Sequence, residues 1–247
     1  MQADKLPAAG GWCKRCGRHH SIPPGNTPKE AERLLESILQ AKNIDIFPPP
    51  PQRNHACSAD FLLGEGRGKM FGLLEYINCK GERGFLRAFS GQYNGHWLVP
   101  GWVPPVVDPA VFTKINAALE PRIKAIGEEL KELSEEDPRQ RELKQHRREL
   151  SRHFNLKVRN LYRLRNFRGE NAGLEEIFAG RGIPTGTGEC CTPKLLHHAA
   201  CNNLHPIGLC EFFIGRQTRS GSCHHGEFYP PCDTRCVPLL GFMLCGL

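Results

Sequence analysis

Apolar positions along the chain follow two spacings, and each spacing predicts a different kind of element. Two runs, MFGLLEYI (70–77) and GFLRAFSG (84–91), flank the turn residues NCKGER and predict a β-hairpin. A third run, PIGLCEFFIG (206–215), is typical of a buried strand. The segment from Thr27 to Ala41 predicts an amphipathic helix, because Thr27 suits the N-cap and Pro28 suits the first helical position.

The middle of the chain has apolar residues at every third or fourth position in two successive stretches. This spacing predicts two helices, and Asp137-Pro138 separates them because proline disfavours helix in the residue before it. We therefore expect an antiparallel helical hairpin, inserted at 109–170. The apolar residues that carry the pattern are Ile115, Leu119, Ile123, Ile126, Leu130 and Leu133, then Leu150, Phe154, Val158 and Leu161.

The last third predicts α/β structure, with a helix beginning within ECCTPKLL (189–196) and another within CDTRCVPLLGFML (232–244). The proline run PPPPQ (48–52) predicts a stiff linker and a domain boundary. These elements divide the chain into four expected parts. They are an N-terminal segment (1–57), a β-hairpin part of an α/β domain (66–108), the inserted hairpin (109–170) and a metal-binding part (171–247).

Length and composition agree with a globular protein. The chain has 247 residues, of which 39% are hydrophobic, and no apolar run approaches the roughly 18 residues of a membrane helix. The start, MQADKLPAAGGW, has no apolar stretch typical of a secretory signal. We therefore expect a soluble cytoplasmic protein that has no membrane partner.

Twelve cysteines change this picture, because cytosolic cysteines in such number favour metal binding or catalysis over disulfides. Cys190 and Cys232/Cys236 stand at two predicted helix starts, where the helix dipole favours thiolates. We predict that these three bind one zinc ion. His224 or His225 is a candidate fourth ligand, which would make the site closed and structural. The alternatives are buried cysteines without a ligand role, an extracellular disulfide framework, and a nucleophile at Cys190 or Cys191 with a nearby His as its base.

A second candidate site lies in CKRCGRHH near the N-terminus. Cys13 and Cys16 have C-x2-C spacing, and His20 (or His19) follows them, as in small structural zinc sites. His55 or Cys57 is the candidate fourth ligand. The alternative is an N-terminal arm that binds no metal.

The order of the predicted elements resembles the cytidine-deaminase-like zinc fold, whose signature is H-x-E followed by P-C-x-x-C. PCDTRC (231–236) resembles the second half, although its spacing is C-x3-C, and TGTGECCTPKLL resembles the first half with Cys in place of His. The resemblance implies an α/β fold with a deaminase-like mixed sheet, and it implies Cys190, Cys232 and Cys236 as ligands. The catalytic glutamate would fall at Thr192, so we name Glu189 and Glu211 as candidate proton carriers.

Most of the chain also resembles the N-terminal extension of certain bacterial RNA pseudouridine synthases. The resemblance is carried by MFGLLEY…GFLRAFSGQ, GTGECCTPKLLHHAA, GLCEFFIG and GEFYPPCDTRCVPLLGFML. No segment here resembles the aspartate-bearing catalytic motif of those synthases. The resemblance implies an RNA-modification context and a pseudouridine synthase as an expected partner.

The net charge of +7 is concentrated in one stretch, since residues 139–168 contain eleven Lys/Arg and two Glu. Such a helix suits a phosphate backbone, in tRNA or rRNA, and the alternative is a solvated helix face. Two functions compete: a zinc-dependent deaminase-like hydrolase acting on a base or nucleotide, and a non-catalytic zinc-stabilised RNA-binding accessory module. The candidate RNA-binding residues are Arg147, Arg148, Arg152, Arg159 and Arg163.

Overall fold

A computed structural model describes residues 5–64, 66–218 and 221–247. The described residues within 1–106 and 164–247 form one compact unit, and residues 107–163 form a second. The strands are β1 (Ala9–Cys13), β2 (Arg18–Ile22), β3 (Lys69–Ile77), β4 (Arg83–Phe89), β5 (Arg163–Arg165), β6 (Asn171–Gly173), β7 (His205–Ile214) and β8 (Phe228–Tyr229). The helices are α1 (Thr27–Ala41), α2 (Asp60–Leu63), α3 (Pro109–Glu132), α4 (Arg139–Asn160), α5 (Leu174–Phe178), α6 (Cys191–Cys201) and α7 (Val237–Met243).

The larger unit is built on a four-stranded sheet in the order β4-β3-β7-β8. The predicted β-hairpin is confirmed, because β3 pairs antiparallel with β4, and β7 is the buried strand expected at 206–215. Every pairing recorded in this sheet is antiparallel. The α/β class is confirmed, because this unit contains both helices and strands. The expected mixed sheet is wrong, because each neighbour of β3 and of β7 runs in the opposite direction.

Successive residues of a strand point to opposite faces of the sheet, and a different helix covers each face. Phe71 and Leu73 of β3 belong to the core cluster that includes Leu34 and Ile38 of α1. The opposite face carries Gly72, and α6 packs there. A side chain at Gly72 would place its Cβ 2.6 Å from the Cβ of Cys191, so glycine permits α6 to lie directly on β3.

The strands β1 and β2 form a separate two-stranded hairpin near the N-terminus, and this hairpin packs against α7. The contact is backbone to backbone, since a Cβ at Gly241 would stand 2.0 Å from the carbonyl oxygen of Trp12. A Cβ at Gly11 would stand 2.5 Å from the carbonyl oxygen of Val237. Glycine at both positions therefore brings the two ends of the chain together.

The predicted domain boundary at 48–52 is wrong. Pro50–Gln52 forms a short 3-10 helix, and the residues on both sides belong to the same compact unit. The segment is held down by its neighbours: the Trp102 indole donates to the carbonyl of Ile44 (3.0 Å), and the Arg87 guanidinium lies over the Phe47 ring. Proline stiffness here shapes a surface segment and does not separate two domains.

The smaller unit consists of α3 and α4, which pack against each other as the apolar spacing predicts. Its range is Val107–Arg163, compared with the expected insertion at 109–170. The start of α3 is capped by Asp108, whose Oδ1 accepts from the amide of Ala110 at 2.8 Å.

Candidate metal centre

Three cysteines from two separate helix starts meet at one point. Cys190 is the N-cap of α6, Cys236 directly precedes α7, and the carbonyl of Cys232 accepts from the amides of Cys236 and Val237. Their sulfur atoms all lie within 4.8 Å of one another, and those of Cys232 and Cys236 are 3.6 Å apart. Two zinc-bound sulfurs in a tetrahedral site, each ~2.3 Å from the metal, are separated by ~3.8 Å. The cluster therefore has the donor type and the spacing that a soft divalent metal requires.

The thiols interact strongly with one another. Hydrogen bonds from Cys190 and Cys236 lower the pKa of Cys232 far below its ordinary value. The hydrogen bond with Cys232 raises the pKa of Cys190 to about 12, and the hydrogen bonds with Cys190 and Cys232 raise the pKa of Cys236. The three thiols therefore influence one another's ionisation, and a bound cation would favour the thiolate form of all three. Arg235, whose pKa the Cys190 sulfur raises, supplies a nearby positive charge.

A buried carboxyl stands beside the three cysteines. Glu211 of β7 is only 4% exposed, and burial raises its pKa. Its Oε1 accepts from the amide and from the hydroxyl of Thr192, both at 2.7 Å. Glu211 lies opposite Gly72 in the strand register, so it points to the same sheet face as α6. Thr192, which occupies the position of the expected glutamate, thus orients a glutamate supplied by the strand.

Both named carboxyls border the same cavity, which has a volume of about 560 Å³. The wall includes the three cysteines, Glu211, Glu189, Arg235 and Lys69. Glu189 is partly exposed and directly precedes Cys190, and its carbonyl accepts from the amide of Gly91 at 2.8 Å. Sequence reasoning missed Arg235 and Lys69, since neither belongs to a recognisable spacing.

The candidate fourth ligands for this cluster lie elsewhere. His225 accepts from the amide of Gly215 through Nδ1 at 3.0 Å, and His224 contacts Gln217. Among the described residues, no fourth Cys, His, Asp or Glu atom joins the three sulfurs within the common 4.8 Å. The expectation that His224 or His225 closes the site is therefore wrong.

A cysteine nucleophile receives no support from the environment of Cys191. Its thiol donates to the carbonyl of Met70 at 3.2 Å, and complete burial raises its pKa well above the ordinary value. Reactive cysteines have a lowered pKa and partial exposure. All twelve cysteines are free thiols, which excludes the disulfide framework from this structure.

The N-terminal cysteines belong to a second cluster, completed from the other end of the chain. Cys13, Cys16, His20 and Cys245 place their ligand atoms within 4.8 Å of one another. The Cys16 sulfur is 3.0 Å from Nε2 of His20 and 3.8 Å from the Cys245 sulfur. Burial, followed by the charge of Arg168, lowers the pKa of His20, which favours the neutral imidazole that binds metal.

The fourth ligand expected at His55 or Cys57 is wrong. His55 is exposed in a short 3-10 helix, and Cys57 is buried in the core beneath α1. Burial raises the pKa of the Cys57 thiol to about 11, as suits a packing residue. Cys245 follows α7 in the sequence LCGL, and no spacing in the sequence pairs it with residues more than two hundred positions earlier.

The candidate RNA-binding residues lie in the smaller unit or at its end. Arg147, Arg148 and Arg152 are exposed on α4, and Arg159 is partly exposed. Arg163 is also exposed, at the start of β5. These positions are therefore accessible to a partner from solvent.

Comparisons with family models, curated proteins and solved structures find no match to this chain. Within the described residues, every helix is too short or too polar to cross a lipid bilayer. The two clusters of cysteine and histidine are groups that could hold a metal ion, and this is the class of site that the structure defines. Function is therefore argued below from the chemistry of the site.

Proposed function

We propose that this protein is a zinc-dependent, deaminase-like hydrolase that removes an amine from a base or nucleotide. A single observation carries the proposal: a buried glutamate and three convergent cysteines share the wall of one cavity. Catalytic zinc sites have three protein ligands and leave one position for water or substrate. Cys190, Cys232 and Cys236 would hold the ion, whose role when bound is to polarise water at neutral pH.

Glu211 is the residue that we assign to proton transfer. Catalytic carboxyls work best when their pKa approaches the operating pH, and burial moves the pKa of Glu211 in that direction. Thr192 fixes the carboxyl by two bonds to Oε1, which leaves Oε2 to exchange a proton with the reacting group. Glu189 borders the same cavity from the loop before α6, and we assign it to substrate contact.

The order of elements supports the deaminase-like assignment. The hairpin β3–β4 is followed by α6 with Cys190 at its start, then by β7, and then by α7 with Cys236 at its start. The resemblance to the deaminase-like zinc fold implies this order. The resemblance to the extension of pseudouridine synthases suggests that the substrate base is in RNA and that such a synthase is a partner.

The test measures zinc and deamination separately on the full chain. Purified protein should contain zinc, and it should replace an amino group by oxygen in one of a panel of cytosine and adenine nucleosides, nucleotides and RNAs, as read by mass spectrometry. Glu211→Gln should retain zinc and lose at least a hundredfold in rate, within the usual range for proton transfer. Glu36→Gln, on the exposed face of α1, is the matched control.

Full activity of Glu211→Gln would count against Glu211 as the proton carrier. If Glu189→Gln then loses activity, the role belongs to Glu189 and the hydrolase stands. If the zinc-loaded protein converts no member of the panel, the accessory function below is the better account.

The second candidate is a non-catalytic, zinc-stabilised RNA-binding module, which the exposed arginines of α4 favour. Reversing Arg147, Arg148 and Arg152 to Glu should weaken binding to tRNA. If each contacts one phosphate, the slope of log affinity against log salt should fall by about 2–3. The control reverses three exposed cations of α3, in the same unit and with the same charge change: Arg122, Lys124 and Lys131. Equal loss in both variants would indicate a general charge effect and no defined surface.

A further inference from the structure

The cluster near the chain termini has the composition of a closed metal site. Three sulfurs and one imidazole nitrogen, from Cys13, Cys16, Cys245 and His20, fill the four positions of a tetrahedral ion. The separation of the Cys16 and Cys245 sulfurs, 3.8 Å, equals the ~3.8 Å expected for two zinc-bound thiolates. Cys13 and Cys245 are each 1% exposed, whereas Cys16 and His20 are partly exposed, so two of the four ligands are shielded from solvent. Such a site stabilises structure and leaves no position for substrate.

One helix joins this cluster to the three-cysteine cluster. Cys236 directly precedes α7, and Cys245 follows the last residue of α7, Met243, by two positions. The helix therefore carries a ligand of the three-cysteine cluster at its start and a ligand of the four-ligand cluster just past its end. Between them, α7 is fixed on β1 by the close backbone approach at Gly241.

The β1–β2 hairpin also contacts α7 and the residues that follow it. Arg15, in the turn between Cys13 and Cys16, lies over the ring of Phe242 in α7 at 5.1 Å. The amide of Phe167 donates to the carbonyl of Cys245 at 3.0 Å, which ties the end of the chain beyond α7 to the segment following β5. A displacement of Cys245 would therefore shift α7, and with it Cys236.

We propose that Cys13, Cys16, His20 and Cys245 form a structural zinc site whose occupancy positions α7 and so strengthens zinc binding by Cys190, Cys232 and Cys236. The proposal rests on the zinc binding of the proposed function at the three cysteines, but not on any hydrolysis there. Because a coupling free energy is reciprocal, occupancy of the three-cysteine site strengthens the four-ligand site by the same factor.

The test uses the full chain, zinc itself and a competing chromophoric chelator. Wild-type protein should bind two zinc ions, and Cys245→Ser should bind one, with its remaining affinity reduced at least tenfold. Cys190→Ser should also bind one, with a matching reduction at the four-ligand site. Cys79→Ser, an exposed cysteine in the β3–β4 turn, should behave as wild type. Cobalt spectra distinguish the two sites by their d–d bands, because both sites have three thiolates and only one of them has an imidazole as the fourth protein ligand.

Each result decides between the claims. Two bound ions in Cys245→Ser would overturn the four-ligand site, and one bound ion with unchanged affinity would overturn the coupling. If Cys190→Ser keeps the wild-type stoichiometry while Cys245→Ser loses an ion, the proposed function fails and the four-ligand site stands.

A variant-independent measurement covers the case in which Cys245→Ser does not fold. Removing zinc from the wild-type chain with a chelator should increase hydrogen exchange at the amides of α7 at least tenfold. One equivalent of zinc should restore more than half of the protection at both ends of the helix. Equal exchange with and without zinc would refute the positioning of α7.

Discussion

Lys194 offers a quantitative test of the packing beneath the cavity. This lysine is 1% exposed on α6, its Nζ donates to the carbonyl of Phe89 at 2.7 Å, and it lies 4.5 Å from the centre of the Phe89 ring. The bond holds the end of β4 directly before Ser90 and Gly91, which border the cavity. We consider the variant Lys194→Met, which preserves the side-chain length and removes the charge.

The expected magnitude follows from the pKa of Lys194, which burial lowers from 10.5 to about 8. A lowered lysine pKa means that the folded state releases its proton before the unfolded state does. The unfolding free energy therefore rises with pH between the two pKa values. Integrating the linkage relation from pH 7 to pH 9.5 gives a rise of about 2 kcal/mol from this residue.

The assay is equilibrium unfolding in urea at pH 7 and at pH 9.5, with zinc present at both, followed by fluorescence of the buried Trp97 and Trp102. The difference between wild type and Lys194→Met reports the titration of Lys194 together with that of the groups its charge influences, of which Cys191 and Lys69 are the first. Wild type should gain about 2 kcal/mol relative to the variant on raising the pH. Lys29→Met, at an exposed position of α1, should show no relative change.

Parallel pH dependence in wild type and Lys194→Met would refute this reasoning. It would mean that Lys194 titrates at the same pH in the folded and unfolded chain, and so is hydrated in the folded protein. A relative change of opposite sign would mean that the fold stabilises the charged lysine.

Three further outcomes are expected from the structure. Gly241→Ala should lower the unfolding free energy by about 1–3 kcal/mol, because its Cβ overlaps the carbonyl of Trp12. Gly182→Ala, where a Cβ would meet open space, should leave the unfolding free energy unchanged. Equal melting temperatures of Gly241→Ala and wild type would contradict the backbone contact. Prolonged treatment with a strong chelator should lower the melting temperature, and zinc but not magnesium should restore it; an unchanged melting temperature would argue against structural zinc. Iodoacetamide should label the exposed Cys79 in the native protein well before Cys57, which is buried with a pKa of about 11, and mass spectrometry of peptides shows the order.

Local pattern accounts for the longer elements of this protein, but the strands β1 and β2 near the N-terminus were not predicted. The apolar spacing predicted α1, the β3–β4 hairpin, β7 and the paired helices α3 and α4, because periodicity reports which face of an element is buried. The positions of Cys190 and Cys236 at helix starts followed from the neighbouring prolines, since proline suits the first helical turn.

The sequence left the acid beside the cysteines open between Glu189, which directly precedes Cys190, and Glu211 on the predicted strand. Strand register decided that Glu211 faces α6 opposite Gly72, and burial then raised its pKa. Periodicity in the sequence shows which residues share a face of one element. It does not show which other element covers that face, and this decides whether a carboxyl is buried.

The sequence by itself determined the longer helices, the β3–β4 hairpin, β7 and the cysteines at the starts of α6 and α7, because these depend on residue type and short-range spacing. Only the tertiary structure decided which ligands meet. Cys245 joins Cys13, Cys16 and His20 because α7 packs on β1 through glycine contacts, and His55 and Cys57 lie elsewhere in the fold. A metal site is completed by proximity in space, and proximity between the two ends of a chain is a property of the whole fold.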